Sequence, residues 1–238
     1  MTTELLQDLE FLLSQKPNDS RAVYDRAAPR YDHFRVLWLK LAGGEAEEKM
    51  LEGLSRILHP GMRVLDAGSG TGAVSREMLE IAPALKLTLV DQSLPMLQGA
   101  VEIPGYRVAG DVLALPLASD IFDVVVSAWV IETVSDPRSA VAEYLRVLSP
   151  TGYLFYSFCS LPEGWLSRAA SAWLRKTVEK GFAGRFLPPE EIPWHDCGRS
   201  RRWRFHGGLT TLVVLRKCCT VGPDVLPVPM EAVPATEV

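Results

Sequence analysis

The sequence predicts an α/β fold built on a mostly parallel sheet with helices on both faces, and two observations carry this prediction. From Arg63 onward, short apolar runs alternate with helical stretches, as expected when parallel strands are joined by crossover helices. Further on, two strand-like runs are linked only by His206-Gly207-Gly208. Because this link is so short, it permits only an antiparallel hairpin. We therefore expect five parallel strands followed by a terminal antiparallel pair.

Each element follows from its own pattern. The strands are expected at 63–66, 86–90, 106–109, 122–127, 152–159, 198–205 and 209–216, and the helices between them at 74–81, 94–101 and 138–148. A further helix is expected over 165–180, ending at Gly181. Its helical spacing puts Trp165, Leu166, Ala169, Trp173 and Leu174 on one side, which is first of all core. An acceptor pocket is the alternative role for Trp165, Trp173 and the nearby Phe182.

Extra helices precede the sheet. Leucines at helical spacing predict an amphipathic helix over 3–14 that packs on the domain, since its polar face is acidic rather than basic. Shorter helices are expected over 22–32, stopped by Pro29, and over 34–41; Gly43-Gly44 should then break the chain before a helix over 45–58. We therefore expect three regions: site-covering helices at 1–58, a core at 59–219, and a disordered or arm-like tail with four prolines at 220–238.

Composition excludes several function classes. The 238 residues carry 25 Lys and Arg against 29 Asp and Glu, a net charge of −4, so there is no global positive field for nucleic acid. The most apolar stretch, 112–131, is interrupted by Pro116, Asp120 and Asp123, which excludes a transmembrane helix there. The acidic N-terminus does not resemble a secretory signal, and four cysteines do not form a spaced disulfide framework. A cytoplasmic protein with reduced thiols is expected, and a homodimer is left open.

The strongest local signal is VLDAGSGTG, Val64 to Gly72, in which an apolar strand and an acid precede glycines at alternate positions. Glycine is needed where the backbone turns with positive φ or where a ligand approaches the main chain. The loop also satisfies the dinucleotide pattern if Ala73 replaces the last glycine, so a nicotinamide oxidoreductase is one alternative. A tight turn without a ligand is another.

Two more acids follow the next two strands. Asp91, in LTLVDQS, lies at a strand's carboxyl end, where ligands gather in open α/β sheets, and its carboxylate can accept both hydroxyls of a ribose. Its alternative role is a helix N-cap, although Ser93 is better placed for capping. After the third strand, Asp111 can accept from an adenine amine while the Val112 amide donates to a ring nitrogen; the alternative is a surface turn. Together these strand ends predict an adenosine-containing ligand.

The segments VLDAGSGTG, VDQS, GDVLALPL, FDVVVSAWVIETV and LRVLSPTG, in this order, resemble the motifs of Rossmann-like (class I) S-adenosylmethionine-dependent methyltransferases. AVYDRAAPRYD and GGLTTLVVLRK are similar to the opening segment and last strand of the ubiquinone/menaquinone-biosynthesis group. The resemblance covers 24–217 and implies a seven-stranded sheet, S-adenosyl-L-methionine as cofactor, and methyl transfer to a small apolar or amphiphilic acceptor such as a quinol, phenol or amine.

The resemblance also implies site roles. Asp66, Gly68, Ser69, Gly70 and Gly72 would surround the methionine part of the cofactor, and Asp91 would hold the ribose. Around the rest of the cofactor the resemblance places a further set: Gln92 and Met96 beside the adenosine, Asp111 and Val112 on adenine, Ser127, Ala128 and Trp129 along the sulfonium side, and Tyr24 and Tyr31 closing over the site.

Methyl transfer needs alignment of donor and acceptor more than an obligatory triad. Where the acceptor must lose a proton, the candidate bases are His33, Asp32 and Glu132, each with a purely structural alternative. The chain after Gly181 is shorter than such proteins usually have, so a cofactor-binding protein with a degenerate lid, acting through protein partners, is the alternative function.

Two other clusters favour structural roles. Arg199, Arg201, Arg202 and Arg204 with Trp203 are typical of a solvated, edge-protecting strand, and a strip that meets phosphate or an acidic substrate is the alternative. Trp194-His195-Asp196-Cys197 and Cys218-Cys219 match no pair of metal-ligand knuckles, so no metal is expected.

Overall fold

The computed structural model describes residues 20–182, 184–193 and 198–217. The seven strands are β1 (Arg63–Ala67), β2 (Lys86–Asp91), β3 (Tyr106–Ala109), β4 (Phe122–Ala128), β5 (Leu148–Cys159), β6 (Gly198–Phe205) and β7 (Thr210–Lys217). The α-helices are α1 (Ser20–Ala27), α2 (Tyr31–Trp38), α3 (Gly44–Ser55), α4 (Ala73–Ile81), α5 (Leu94–Gly99), α6 (Pro137–Val147), α7 (Trp165–Ala170) and α8 (Ala172–Phe182).

One sheet contains all seven strands, in the order β3-β2-β1-β4-β5-β7-β6. The first five strands run parallel, and β7 pairs antiparallel with both β5 and β6. The predicted mostly parallel sheet and its terminal hairpin are therefore confirmed.

The core lies on both faces of this sheet. In β1, Val64 packs into one buried cluster while Leu65 packs into the other. In β4, Val125 and its neighbours alternate between the clusters in the same way. Burial on both faces explains why these strands are continuous apolar runs rather than alternating ones.

The strand order reverses between β1 and β4, because β2 and β3 extend the sheet on one side and β5 and the hairpin on the other. At such a switch point the loops leaving neighbouring strands diverge and open a crevice beyond the carboxyl ends. The loop of residues 68–72, which connects β1 to α4 and is called the glycine loop below, lies at this point.

The prediction that Gly43-Gly44 breaks the chain is wrong. Helix α2 continues through a π-helical segment, Leu39–Gly43, directly into α3. A Cβ at Gly43 would lie 2.6 Å from Trp38 Nε1, and one at Gly44 would lie 2.8 Å from the Leu39 carbonyl oxygen. Glycine therefore serves close packing in this widened turn instead of ending the helix.

The single helix expected over 165–180 is divided at Ser171 into α7 and α8, and it passes the expected stop at Gly181. Its predicted core side is also wrong. Trp165 and Trp173 are 76% and 72% exposed. Leu174, the exception on that side, packs together with Val178 against a small cluster around Cys159 and Phe186.

The β6 prediction is confirmed, and β6 forms an edge of the sheet. Arg201 and Arg202 are exposed, whereas Arg204 ion-pairs with Glu163 and Trp203 packs on the core. The helix predicted over 3–14 and the tail at 220–238 lie outside the described residues, and the three-region division stays a prediction. Within the described ranges, no helix is long and apolar enough to cross a bilayer.

Candidate functional site

The carboxyl ends of β1 to β4 enclose a cavity of about 420 Å³. Gly68 and Gly70 line it from the glycine loop, Asp91 from the end of β2, Asp111 from the turn after β3, and Trp129 from the end of β4. Cofactor sites typically measure about 300–1,000 Å³, so this cavity, which we call the cofactor cavity, has the size of one.

The glycine loop has a backbone conformation in which side chains on its glycines would clash with neighbouring residues. Gly68 has φ +75° and a Cβ there would lie 2.4 Å from Val130 Cγ2. Gly72 has φ +79° and a Cβ would lie 2.2 Å from Ile103 Cδ1. Gly68 and Gly70 face the cavity, whereas Ser69 and Gly72 do not line it. Gly72 therefore serves packing at the start of α4.

Asp91 holds the loop and faces the cavity at once. Its Oδ2 accepts from the Gly70 amide and its Oδ1 from the Ser93 amide, each at 2.8 Å. Burial raises the pKa of this carboxyl, and the amide donors partly offset that rise. A carboxylate offers about four lone pairs, so it keeps capacity for hydroxyl donors such as those of a ribose. The N-cap of α5 is Ser93, whose hydroxyl accepts from the Met96 amide, so Asp91 is not needed as the cap.

Asp66 does not line the cavity. Its side chain is buried beneath the glycine loop, and Oδ2 accepts from Ser75 Oγ at 2.6 Å. Burial, more than the nearby charge of Asp91, raises the pKa of Asp66 to about 6. Asp66 therefore connects β1 to the first turns of α4, which fixes the loop from below.

The turn after β3 lies at the cavity. Asp111 is exposed and lines the cavity, and one carboxylate oxygen accepts from the Leu113 amide at 2.9 Å. Val112 is buried beside it and also lines the cavity.

The N-terminal helices reach the same cavity. Tyr24 of α1 and Tyr31 of α2 line it, with ring centroids 6.1 Å apart in an edge-to-face contact. Gln92 lines it too, and its side-chain amide donates to Ser20 Oγ at 3.0 Å, which ties α1 to the end of β2. Met96, buried in α5, completes this wall.

At the end of β4 the three predicted residues separate. Ser127 is fully buried and donates to the Tyr144 hydroxyl at 3.0 Å, so its side chain serves the core. Ala128 and Trp129 line the cavity. Trp129 has φ +62°, a conformation that is uncommon for a bulky residue, and it directs the indole against Trp38 with centroids 5.4 Å apart.

A smaller chamber of about 50 Å³ adjoins the cofactor cavity. The two spaces share Tyr24, Tyr31, Trp129, Glu132 and Thr133 as lining residues. Six aromatic side chains line the chamber, which we call the aromatic chamber: Tyr24, Tyr31, Phe34, Trp38, Trp129 and Phe182. Because Phe34 and Phe182 meet edge to face at 5.8 Å, helices α2 and α8 close it together.

Glu132 lies where the two spaces meet. It is 4% exposed, and its Oε1 accepts from the Cys159 amide at 3.2 Å. Its Oε2 is buried and has no hydrogen-bond partner among the described residues. Burial is the main cause that raises the pKa of this carboxyl to about 7. Burial and the Glu132 charge also raise the pKa of the Cys159 thiol, which keeps it protonated.

Among the described residues that line the aromatic chamber, the cation is Arg35, and it is already paired. Its guanidinium donates to Glu47 at 2.5 Å and lies 3.5 Å from Glu77. Two carboxylates thus neutralise it, while Glu132 adds an acid to the chamber wall.

The structure brings one of the three predicted bases to the cavity. Asp32 is exposed and accepts from Thr71 Oγ1 at 2.6 Å, and His33 is exposed; neither lines either space. A general base must be within hydrogen-bond reach of the proton it removes, so this placement leaves Glu132 as the candidate.

Sequence reasoning missed several lining residues. Phe34 and Trp38 are four residues apart, and this spacing could have indicated one helix face. Cys159 and Thr133 gave no such signal. Among the described residues, no group of three His, Cys, Asp or Glu could hold a metal ion. The segments Trp194 to Cys197 and Cys218-Cys219 lie outside those residues.

Comparison with known proteins shows which sequences this chain is similar to. A model of the "Methyltransferase domain" family matches residues 65–156. A demethylmenaquinone methyltransferase from Renibacterium salmoninarum is 29% identical over 202 residues, which cover 80% of this chain and 84% of the relative. A malonyl-[acyl-carrier protein] O-methyltransferase from Enterobacter lignolyticus is 34% identical, covering 74% of this chain and 67% of the relative.

Other comparisons extend the likeness. The chain spans about half the length of two further curated malonyl-[acyl-carrier protein] O-methyltransferases. The solved structure of an S-adenosylmethionine-dependent methyltransferase from Thermotoga maritima superposes with a TM-score of 0.60 at 21% identity, covering 82% of this chain and 99% of that one. At this identity the structural match supports the fold alone.

Proposed function

We propose, because this chain belongs to the Rossmann-like (class I) S-adenosylmethionine-dependent methyltransferases, that it methylates a small acceptor whose O–H or N–H group enters the aromatic chamber. The rest of the acceptor is apolar or amphiphilic, as in a quinol, phenol or amine. The observation that carries this proposal is Glu132, a buried carboxyl with an unpartnered oxygen at the boundary between the two spaces.

The residues of the cofactor cavity fit S-adenosylmethionine. Asp91 keeps lone pairs for the ribose hydroxyls, and Asp111 offers a carboxylate to the adenine amine. Gly68 and Gly70 leave backbone open to the methionine part, since they have no side chain. When bound, the cofactor supplies a methyl group on a cationic sulfur that leaves as a neutral thioether.

Glu132 acts as the general base in this proposal. A base works best when its pKa lies close to the working pH, and burial brings the pKa of Glu132 to about 7. The Cys159 amide holds Oε1 and so orients Oε2 as the proton acceptor. Tyr24, Tyr31 and Trp129 would exclude water from the shared wall, which helps alignment during an in-line transfer.

The chamber favours a neutral or cationic acceptor over a carboxylate. A carboxylate would face the Glu132 acid and would find Arg35 already paired with Glu47 and Glu77. Aromatic faces instead suit an apolar ring or an ammonium group. Because the chamber measures about 50 Å³, it admits the reacting end of the acceptor rather than the whole molecule.

Turnover with an acceptor panel tests this proposal. The purified chain and S-adenosylmethionine are incubated with hydroquinones, phenols, amines and carboxylic acids, and release of S-adenosylhomocysteine is followed together with the mass of the product. We expect methylation of hydroxyl or amine acceptors and no turnover of carboxylic acids. Turnover restricted to carboxylic acids or their thioester-linked forms would contradict the acceptor class. Tight cofactor binding without turnover of any acceptor would favour a cofactor-binding protein.

A further inference from the structure

Two neighbouring helices expose large apolar side chains to solvent. Trp165, Leu166 and Trp173 are 76%, 64% and 72% exposed. They lie in α7 and at the start of α8. Single exposed apolar residues are ordinary, but two tryptophans and a leucine within nine residues form a cluster that indicates an interaction surface.

The same helices are basic in a protein that is acidic overall. Residues 165–182 contain four basic residues and one acid, whereas the whole chain has a net charge of −4. In α8, Trp173, Lys176 and Lys180 are exposed and follow the spacing of one helix face. Leu174 and Val178 lie on the other side and pack inward. The exposed face, defined by Trp165, Leu166, Trp173, Lys176 and Lys180, is called the tryptophan face below.

Hydrogen bonds fix the kink between α7 and α8. Ser171 Oγ donates to the Ser167 carbonyl at 2.7 Å. Arg175 donates through Nη2 to the Arg168 carbonyl at 3.0 Å, and Arg168 donates through Nε to the Pro162 carbonyl at 2.9 Å. These bonds span the kink and fix the path of the backbone between the two helices.

We propose that the tryptophan face docks the protein on the surface of a lipid bilayer that contains anionic lipid. Tryptophan and leucine insert at the interface, and lysines beside them attract negative headgroups. Charge favours this occupant, because an excess of basic residues is concentrated on this segment of an acidic protein. A second copy of the chain would bring the same lysines together and is disfavoured for that reason.

The aromatic chamber lies on the inward side of α8, opposite this face. Val178 and Phe182, at the far end of α8, line that chamber. Phe182 lies nine residues beyond Trp173, about 14 Å along a helix axis at 1.5 Å per residue. Docking would therefore place α8 between the bilayer surface and the chamber that receives the acceptor. This link to catalysis rests on the proposed function, whereas the docking itself does not.

Vesicle sedimentation of the full chain tests the docking without any acceptor or cofactor. The vesicles are phosphatidylcholine alone, or phosphatidylcholine mixed with phosphatidylglycerol. We expect binding to the mixed vesicles that weakens as salt is added. Lys176→Gln with Lys180→Gln should lower the partition coefficient by roughly fivefold for each lysine. Trp165→Ser with Trp173→Ser should lower it by on the order of tenfold, since interfacial burial of two indoles is lost.

Tyr106→Ser is the matched control, because Tyr106 is an aromatic residue that is 77% exposed and lies outside the tryptophan face, on β3 at the edge of the sheet opposite β6. It should bind vesicles like the unchanged protein, and circular dichroism checks that every variant is folded. Failure of the full chain to bind mixed vesicles overturns the proposal. Equal loss of binding in Tyr106→Ser overturns it too. A dimer that becomes a monomer in the tryptophan variant, without vesicle binding, assigns the face to a second copy instead.

Discussion

Replacing Glu132 with glutamine should change how the stability of the protein depends on pH. Burial raises the pKa of Glu132 from 4.5 to about 7. At about 1.4 kcal/mol per pKa unit, the charged carboxylate destabilises the folded state by about 3 kcal/mol above the folded pKa. Because the folded state holds this proton more tightly than the unfolded chain, the stability contributed by protonated Glu132 is present at low pH and is lost as pH rises through about 7.

The assay is urea unfolding of the wild type and Glu132→Gln at about pH 5.5 and about pH 8.5, a range over which Glu132 should cost the wild type about 2 kcal/mol. The glutamine variant has no such loss. Its free energy of unfolding minus that of the wild type should therefore increase by that amount from the lower to the higher pH. Asp66, whose pKa is about 6, titrates in the same window but is present in both proteins and cancels.

The same substitution should affect catalysis. A glutamine side chain cannot remove the proton from the methyl acceptor, so kcat should fall by roughly 10²–10⁴-fold. In the wild type, kcat should rise with pH through about 7 as Glu132 loses its proton. His33 is another of the predicted bases but lines neither space, so His33→Ala is the control for this profile and should keep the inflection.

Two results would refute the reasoning. A Glu132→Gln variant whose stability difference from the wild type does not change with pH would show that the buried carboxyl does not carry a raised pKa. A variant that keeps the wild-type rate and profile would show that another group removes the proton. If His33→Ala alone removes the inflection, the base assignment moves to His33.

Three further predictions concern the cofactor cavity, the loop and the chamber. Asp91→Asn should weaken S-adenosylhomocysteine binding by roughly 10–100-fold in calorimetry, because a charge-assisted acceptor is lost; unchanged affinity would contradict the ribose assignment. Gly72→Ala should lower the urea midpoint more than Gly61→Ala, since both have positive φ but only Gly72 lacks room for a Cβ; equal losses would contradict the packing argument. Phe182→Ala should raise the acceptor KM in steady-state kinetics while S-adenosylhomocysteine affinity is kept; the reverse pattern would place the acceptor elsewhere.

Much of the sheet could be predicted because its determinants are local. The β3 and β6 predictions coincide with the observed strands, and the other parallel strands differ mainly at their ends. An apolar run bounded by turn residues reports burial on both faces directly. Gly43-Gly44 failed as a break because a glycine also permits close packing, and only the position of Trp38 shows which role applies.

Helix faces were harder to predict than helices. The spacing of Trp165 and Trp173 is compatible with a buried stripe, yet both are exposed, because the division at Ser171 and the packing of Leu174 turn the other side inward. Periodicity states that a helix has an apolar side but not that this side finds a partner.

The sequence by itself determined which strands and helices follow one another along the chain, where the glycine loop lies, and which acids end successive strands. These features depend on backbone requirements and on residues adjacent in the chain. The tertiary structure alone decided which of these side chains face a common space. It places the side chains of Asp66 and Ser127 in the core and leaves His33 exposed to solvent. It also buries the Glu132 carboxyl beside Cys159. The physical reason is that burial and pairing of a side chain depend on the packing angles of distant helices and strands, which no local pattern specifies.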